Sequence, residues 1–229
     1  MKVLFIITSH KTGAWLSEIT HPYWHLTERG VEVDFASPEG GAVAWTPLSD
    51  PYGADSQEPD DLVSKGFLSD KALTGRLDST LKLAEVDLSG YDAVHVAGGQ
   101  GATYDLYPND VLGQILEHFW GTGRVVGAIC HGAISLGNIP DRVRGLHVTG
   151  YSLEADRQLE AFFGPSFLLP HYPQAVLEET GTRYSSQGPA DPWVVSDGRL
   201  VTGQNQQSAS EYALVLYHAL IGSAPVAQH

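Results

Sequence analysis

One cysteine occurs in the chain, Cys130. It stands in residues 123–133, where an apolar, strand-like run ends at Cys130-His131-Gly132 and a helix-compatible segment begins. A strand that turns sharply into a helix exposes one side chain at the strand's carboxyl edge. It also aims the first free helix N–H groups at that side chain, which lowers a thiol's pKa and creates a site for an oxyanion. Cys130 is therefore the candidate nucleophile. His131 beside it is a candidate to carry a proton or to present its backbone N–H to a developing oxyanion. The competing reading is a buried cysteine used as a small hydrophobe, with a histidine that only caps the turn.

Other residue types that such chemistry needs lie at the ends of neighbouring elements. Gly98-Gly99-Gln100-Gly101 follows an apolar strand, and glycine there lets a backbone N–H approach a reacting carbon, so Gly99 is the candidate second oxyanion donor. The spacing is not that of a dinucleotide or P-loop fingerprint, which argues against phosphate binding. Glu18 falls on the helix after the first strand among aromatic and apolar neighbours that would raise its pKa. A carboxyl group partly protonated near neutrality can donate to a thiolate and move protons between adjacent carbons; the alternative is a solvated helix acid. Glu154 and Asp156 follow a later strand, and either could orient His131. Tyr151, Phe162, Phe163, Tyr172 and Trp193 read as core aromatics.

The elements that must position these groups alternate between strand and helix. Residues 3–8 and 125–129 are apolar runs of the kind buried on both faces of a sheet, and 31–36 and 93–97 read as further strands. Helices are expected at 14–29, despite Pro22, at 109–120 with Asn109 as cap, at 173–180 and at 208–221. Residues 146–149 read as a short strand and 193–202 as a hairpin through Ser196-Asp197-Gly198. Residues 37–90 begin rich in Pro, Asp and Gly and then show helical spacing at 68–85, the pattern of an insertion or lid within the domain. Successive β-α units imply a doubly wound α/β fold whose sheet is mostly parallel, with helices on both faces and its sites at the carboxyl ends of the strands.

The chain has 229 residues, 42% of them hydrophobic, enough for one well-filled domain over 1–229. Lys plus Arg total 13 against 27 Asp plus Glu, giving a net charge of −14. That charge opposes nucleic acid and anionic membranes as partners and suits a small-molecule substrate. No apolar run approaches the roughly 20 residues of a membrane span, and the amino terminus lacks a signal-peptide pattern. With a single cysteine unable to form an internal disulfide, these features predict a cytoplasmic protein.

Together these stretches resemble the ThiJ/PfpI superfamily, and more closely its branch of glutathione-independent glyoxalases (glyoxalase III) and heat-shock chaperones. The resemblance covers almost the whole chain. It rests on Lys11-Thr12-Gly13 with Glu18 and His21-Pro22, on residues 30–37, 97–105, 128–132 and 149–156, and on residues 196–205. It implies a flavodoxin-like fold related to the class I glutamine amidotransferases, commonly a homodimer, needing neither metal nor redox cofactor. Carried over by position, the nucleophile falls on Cys130, its histidine on His131, the buried catalytic glutamate on Glu18 and the histidine-orienting acid on Asp156, with Glu154 as the nearby alternative. One departure bears on substrate choice: the branch usually has Gly-His-Gly where this chain has Gly99-Gln100-Gly101, which puts Gln100 at the substrate.

The activity so implied is conversion of a 2-oxoaldehyde such as methylglyoxal to a 2-hydroxy acid. A Cys130 hemithioacetal and an enediol would be the intermediates, with Glu18 or His131 moving the proton. A hydratase or lyase acting on another small electrophile could use the same thiol and glutamate. A stress holdase or oxidation sensor could use Cys130 as an oxidisable thiol. A glutamine amidotransferase would need a His-x-Glu pair, and none of the ten histidines has Glu two residues later.

Overall fold

Val3, Leu4, Phe5, Ile6 and Ile7 carry no polar side chain, so a strand made from them needs cover on both faces. In the computed structural model, which describes residues 1–222, that strand is β1 (Lys2–Ile6), an interior strand of a seven-stranded sheet. After it come α1 (Ser17–Thr27), β2 (Glu32–Ser37), α2 (Leu62–Ser69), α3 (Lys71–Thr74), β3 (Leu81–Lys82), β4 (Ala93–Val96) and α4 (Ala102–Asp105). The chain continues through α5 (Asp110–Gly121), β5 (Val125–Ile129), α6 (Pro140–Val143), β6 (His147–Val148), α7 (Leu153–Phe163) and α8 (Pro173–Glu179). It closes with β7 (Arg183–Tyr184), β8 (Val194–Asp197), β9 (Leu200–Gly203) and α9 (Ala209–Leu220). Residues 223–229, the end of the span expected to form one domain, lie outside the described residues.

The strand order is β3-β2-β1-β4-β5-β9-β8, parallel throughout except for β8, which returns antiparallel to β9. Strands β6 and β7 form a separate parallel pair. The alternation along β1 builds two buried layers. Val3 and Phe5 pack with Ile19 of α1 and Tyr212 of α9 on one face, and Leu4 and Ile6 with Leu116 and Phe119 of α5 on the other. From β1 the chain runs outward to β2 and β3, then returns to β4 on the other side. Such a reversal opens a crevice at the carboxyl ends of the strands. This is the doubly wound, mostly parallel α/β fold expected from the sequence.

Local signals explain most boundaries. The Asn109 side chain accepts from the Leu112 N–H at 2.9 Å and starts α5. Gly198, with φ of +62°, makes the turn between β8 and β9. The helix expected over 68–85 does not form. The Asp70 carboxylate accepts the N–H groups of Ala72 and Leu73 and starts a new short helix, which ends before Gly75. The chain then extends so that Ala36 and Ser37 pair with Leu81 and Lys82. Part of the 37–90 segment is thus an edge strand of the main sheet.

Candidate active site

Three strand ends meet in the crevice. β1 leads to the loop before α1, β4 ends at Gly98-Gly99, and β5 ends at Cys130. Cys130 has φ of +57°, the only positive value at a non-glycine residue among those described. A side chain is strained there, and the surrounding packing must hold it. Residues 130–138 continue as a tight 3-10 helix, and the backbone N–H groups of Gly99 and His131 point at the Cys130 sulfur. Gly99 can be nothing but glycine: φ is +92°, and a Cβ would sit 2.4 Å from the Trp15 nitrogen.

Glu18 is wholly buried, not the solvated acid of the alternative reading. Its Oε2 accepts the Gly98 N–H at 2.9 Å, while Oε1 has no well-aligned donor. A Cβ on Gly98 would meet Glu18 Oε2 at 2.5 Å and Cys130 Cβ at 2.8 Å, so the carboxyl and the thiol close on the same glycine from two sides. Burial pushes the Glu18 carboxyl well above the usual carboxylate range. A hydrogen bond with Cys130 works against that shift, and the nearby Glu58 adds to it. Burial also raises the thiol, and an ionised Glu18 would raise it further. The two groups cannot both be charged cheaply. The thiol donates to the Glu18 carboxylate in the state with Glu18 ionised. With the shared proton on Glu18, its O–H donates to sulfur instead and joins the two backbone N–H groups in favouring the thiolate.

His131 links sulfur to an acid. Its Nδ1 lies 3.3 Å from Cys130 Sγ and its Nε2 2.9 Å from Asp156 Oδ1, with both side chains buried. Asp156 is held in the first turn of α7, which Ser152 caps by accepting the Ala155 N–H. The other acid considered, Glu154, is exposed and contacts Gln158. Tyr151 stacks on the His131 ring with centroids 4.3 Å apart and lines the cleft. This corrects the expectation that it belongs to the core. Phe162 of the same set is 81% exposed.

A small, mostly apolar cleft opens over Cys130 and His131. Gln100 lies on its wall, with Trp15, Leu48 and Phe167. Two features went unforeseen. Glu58, from the inserted segment, accepts from Trp15 Nε1 at 2.7 Å and from the Ser17 hydroxyl at 3.1 Å, fixing one wall. Pro22 lacks the N–H that would bond the Glu18 carbonyl within α1. That carbonyl accepts instead from His95 Nε2 on β4 at 2.9 Å. His95 is fully buried and desolvation pushes its pKa down to about 4, so the ring is neutral. With the proton assigned to Nε2 by its acceptor, Nδ1 accepts from the Tyr212 hydroxyl at 2.8 Å. No group of three or more His, Cys, Asp or Glu among the described residues could hold a metal ion, and no described helix is long and apolar enough to cross a membrane.

A thiol at a strand-helix elbow of this fold, with a buried glutamate and a histidine–aspartate pair, defines a class of cysteine-dependent α/β proteins. The chain belongs to the DJ-1/PfpI family, whose model matches residues 1–219. It is 28% identical over 241 residues to the glutathione-independent glyoxalase HSP31 of Saccharomyces cerevisiae, covering 96% of this chain and 98% of that one. It is 29% identical to glyoxalase 3 of Candida albicans, covering 93% and 95% of the two chains. Among solved structures, Rapid Encystment Protein 24 KDa of Francisella tularensis matches with a TM-score of 0.85 and 30% identity, over 96% of this chain and 98% of that one. The crystal structure of glyoxalase III from Candida albicans matches with a TM-score of 0.79 and 26% identity, over 96% and 97%.

Proposed function

We propose that the protein converts a 2-oxoaldehyde of the methylglyoxal type to the corresponding 2-hydroxy acid without glutathione. The observation that carries this reading is the approach of one buried carboxyl group, Glu18, and two backbone N–H groups to the single thiol, in a chain similar along its length to proteins named for that activity.

His131 Nδ1 takes the thiol proton, and the Cys130 thiolate adds to the aldehyde carbon. A C–S bond forms, and the carbonyl electron pair moves to oxygen, where the N–H groups of Gly99 and His131 receive it. Glu18 gives its proton to that oxygen and becomes a carboxylate. In this form it removes the hydrogen of the former aldehyde carbon while protonated His131 gives the thiol's proton to the neighbouring carbonyl oxygen, forming an enediol. Glu18 then delivers the hydrogen to the neighbouring carbon and takes back the proton of the first hydroxyl as that oxygen becomes the thioester carbonyl. One carbon is oxidised and its neighbour reduced, leaving a thioester that water hydrolyses to the acid and the free thiol. The steps balance with substrate and water alone. Asp156 keeps His131 turned with Nδ1 toward sulfur, and Gln100 contacts the substrate from the wall.

In this reading the part of residues 37–90 outside the edge strand β3 forms a lid within a single domain, and the protein acts as a cytoplasmic homodimer. Light scattering on the purified protein reads the dimer. The activity is tested by incubating protein with methylglyoxal in the absence of glutathione and following lactate by NMR. Turnover that disappears in Cys130→Ala supports the proposal; no turnover, or turnover indifferent to Cys130→Ala, refutes it.

A further inference from the structure

The wall of the cleft carries no formal positive charge to receive an anion. Above the thiol stand Trp15, Leu48, Leu159 and Phe167, with the neutral amides of Gln100 and Gln206, and no lysine or arginine among the described residues lines the space. Arg157, on α7, is committed to Glu160 and lies over the Tyr172 ring. The one imidazole at the floor, His131, is already paired with Asp156. The acids near the thiol are Glu18 and Asp156, both buried, and the half-buried Glu58, in a chain of net charge −14.

We infer that this cleft selects neutral electrophiles with an apolar or aromatic substituent and turns away anionic ones. The inference rests on the glyoxalase reading where it concerns turnover: an aryl glyoxal is preferred to one bearing a carboxylate, and the anionic 2-hydroxy acid leaves readily. An anion entering the cleft gives up its hydration, finds no counter-charge, and meets the thiolate with acids beneath it. An aromatic substituent instead covers the apolar faces of Trp15 and Phe167. Substrate and product of the proposed reaction differ by one negative charge, so the same wall that admits the first favours departure of the second.

Because Cys130 is the only cysteine, alkylation reports this cleft alone. In that reaction the sulfur–carbon bond forms as the carbon–iodine bond breaks and iodide leaves. The rate with neutral iodoacetamide is compared with that of anionic iodoacetate, each divided by its rate with 2-mercaptoethanol. The expected result is an extra preference of about tenfold for the neutral reagent, reduced in Gln206→Lys. A second arm compares turnover of phenylglyoxal with that of 4-carboxyphenylglyoxal, and of phenylglyoxal with methylglyoxal in Phe167→Ala. The neutral aryl substrate should win, and Phe167→Ala should lower kcat/KM for phenylglyoxal much more than for methylglyoxal. A normalised alkylation ratio near one, or one that Gln206→Lys leaves unchanged, overturns the charge selection. Equal losses for both substrates in Phe167→Ala overturn the aromatic preference. Charge-selective alkylation without turnover of any glyoxal would instead remove the glyoxalase reading and leave the charge selection standing.

Discussion

Asp156 Oδ1 lies 2.9 Å from His131 Nε2, and both side chains are buried. An acceptor at Nε2 places the ring proton there and leaves the Nδ1 lone pair facing the Cys130 sulfur, 3.3 Å away. The aspartate therefore acts through the ring, by fixing which nitrogen can take the thiol proton.

Asp156→Asn should lower kcat for methylglyoxal by about 10²- to 10⁴-fold, because an amide can stabilise the wrong tautomer. Glu154→Gln, at an exposed position on the same helix, should leave kcat within about twofold of the parent. Steady-state kinetics of the two variants side by side check this, and equal effects would remove Asp156 from the mechanism.

Glu18 gives a prediction in which activity and stability move in opposite directions. Its folded-state pKa is raised by burial, so the folded protein holds this proton more tightly than the unfolded chain. Stability from this group is therefore full below the unfolded glutamate pKa. It falls as pH rises toward the folded value, by about 1.4 kcal/mol for each pH unit in that window. Glu18→Gln keeps the shape and an acceptor for the Gly98 N–H but cannot ionise. It should raise the Tm at pH 7–8 relative to the parent, with the gain shrinking toward pH 4, while lowering kcat by about 10²-fold or more. Melting curves across pH read the first effect, and a Tm difference independent of pH would contradict it.

The chain from Pro22 through the Glu18 carbonyl and His95 to Tyr212 makes a stability prediction. Tyr212→Phe leaves a buried imidazole lone pair without its donor and should cost about 1–3 kcal/mol. Gly127→Ala should be worse, since its Cβ would lie 2.3 Å from the Tyr212 hydroxyl on one side of the sheet. Urea denaturation of both variants checks the order.

The sequence made the strand ends legible because each reactive candidate stands where an apolar run stops: Gly99 after β4, Cys130 after β5, and Glu18 on the first helix after β1. Choosing Asp156 over Glu154 required the turn of α7, which buries one acid and exposes the other two residues away. Glu58 and Trp15 are 43 positions apart, and His95 and Tyr212 are 117 apart, so neither pair leaves a local pattern. The helix expected at 68–85 was lost to a single capping carboxylate, Asp70, whose local hydrogen bonds outweigh the helical spacing around it.

The account turns on covalent addition of Cys130 to a 2-oxoaldehyde followed by proton transfer through Glu18. The most direct measurement is ¹³C NMR of Glu18→Gln mixed with stoichiometric methylglyoxal labelled at the aldehyde carbon. The account predicts a protein-bound hemithioacetal carbon that forms, persists without becoming lactate, and is absent from Cys130→Ala. Labelled lactate at the parent rate in Glu18→Gln, or the same bound signal in Cys130→Ala, would contradict it.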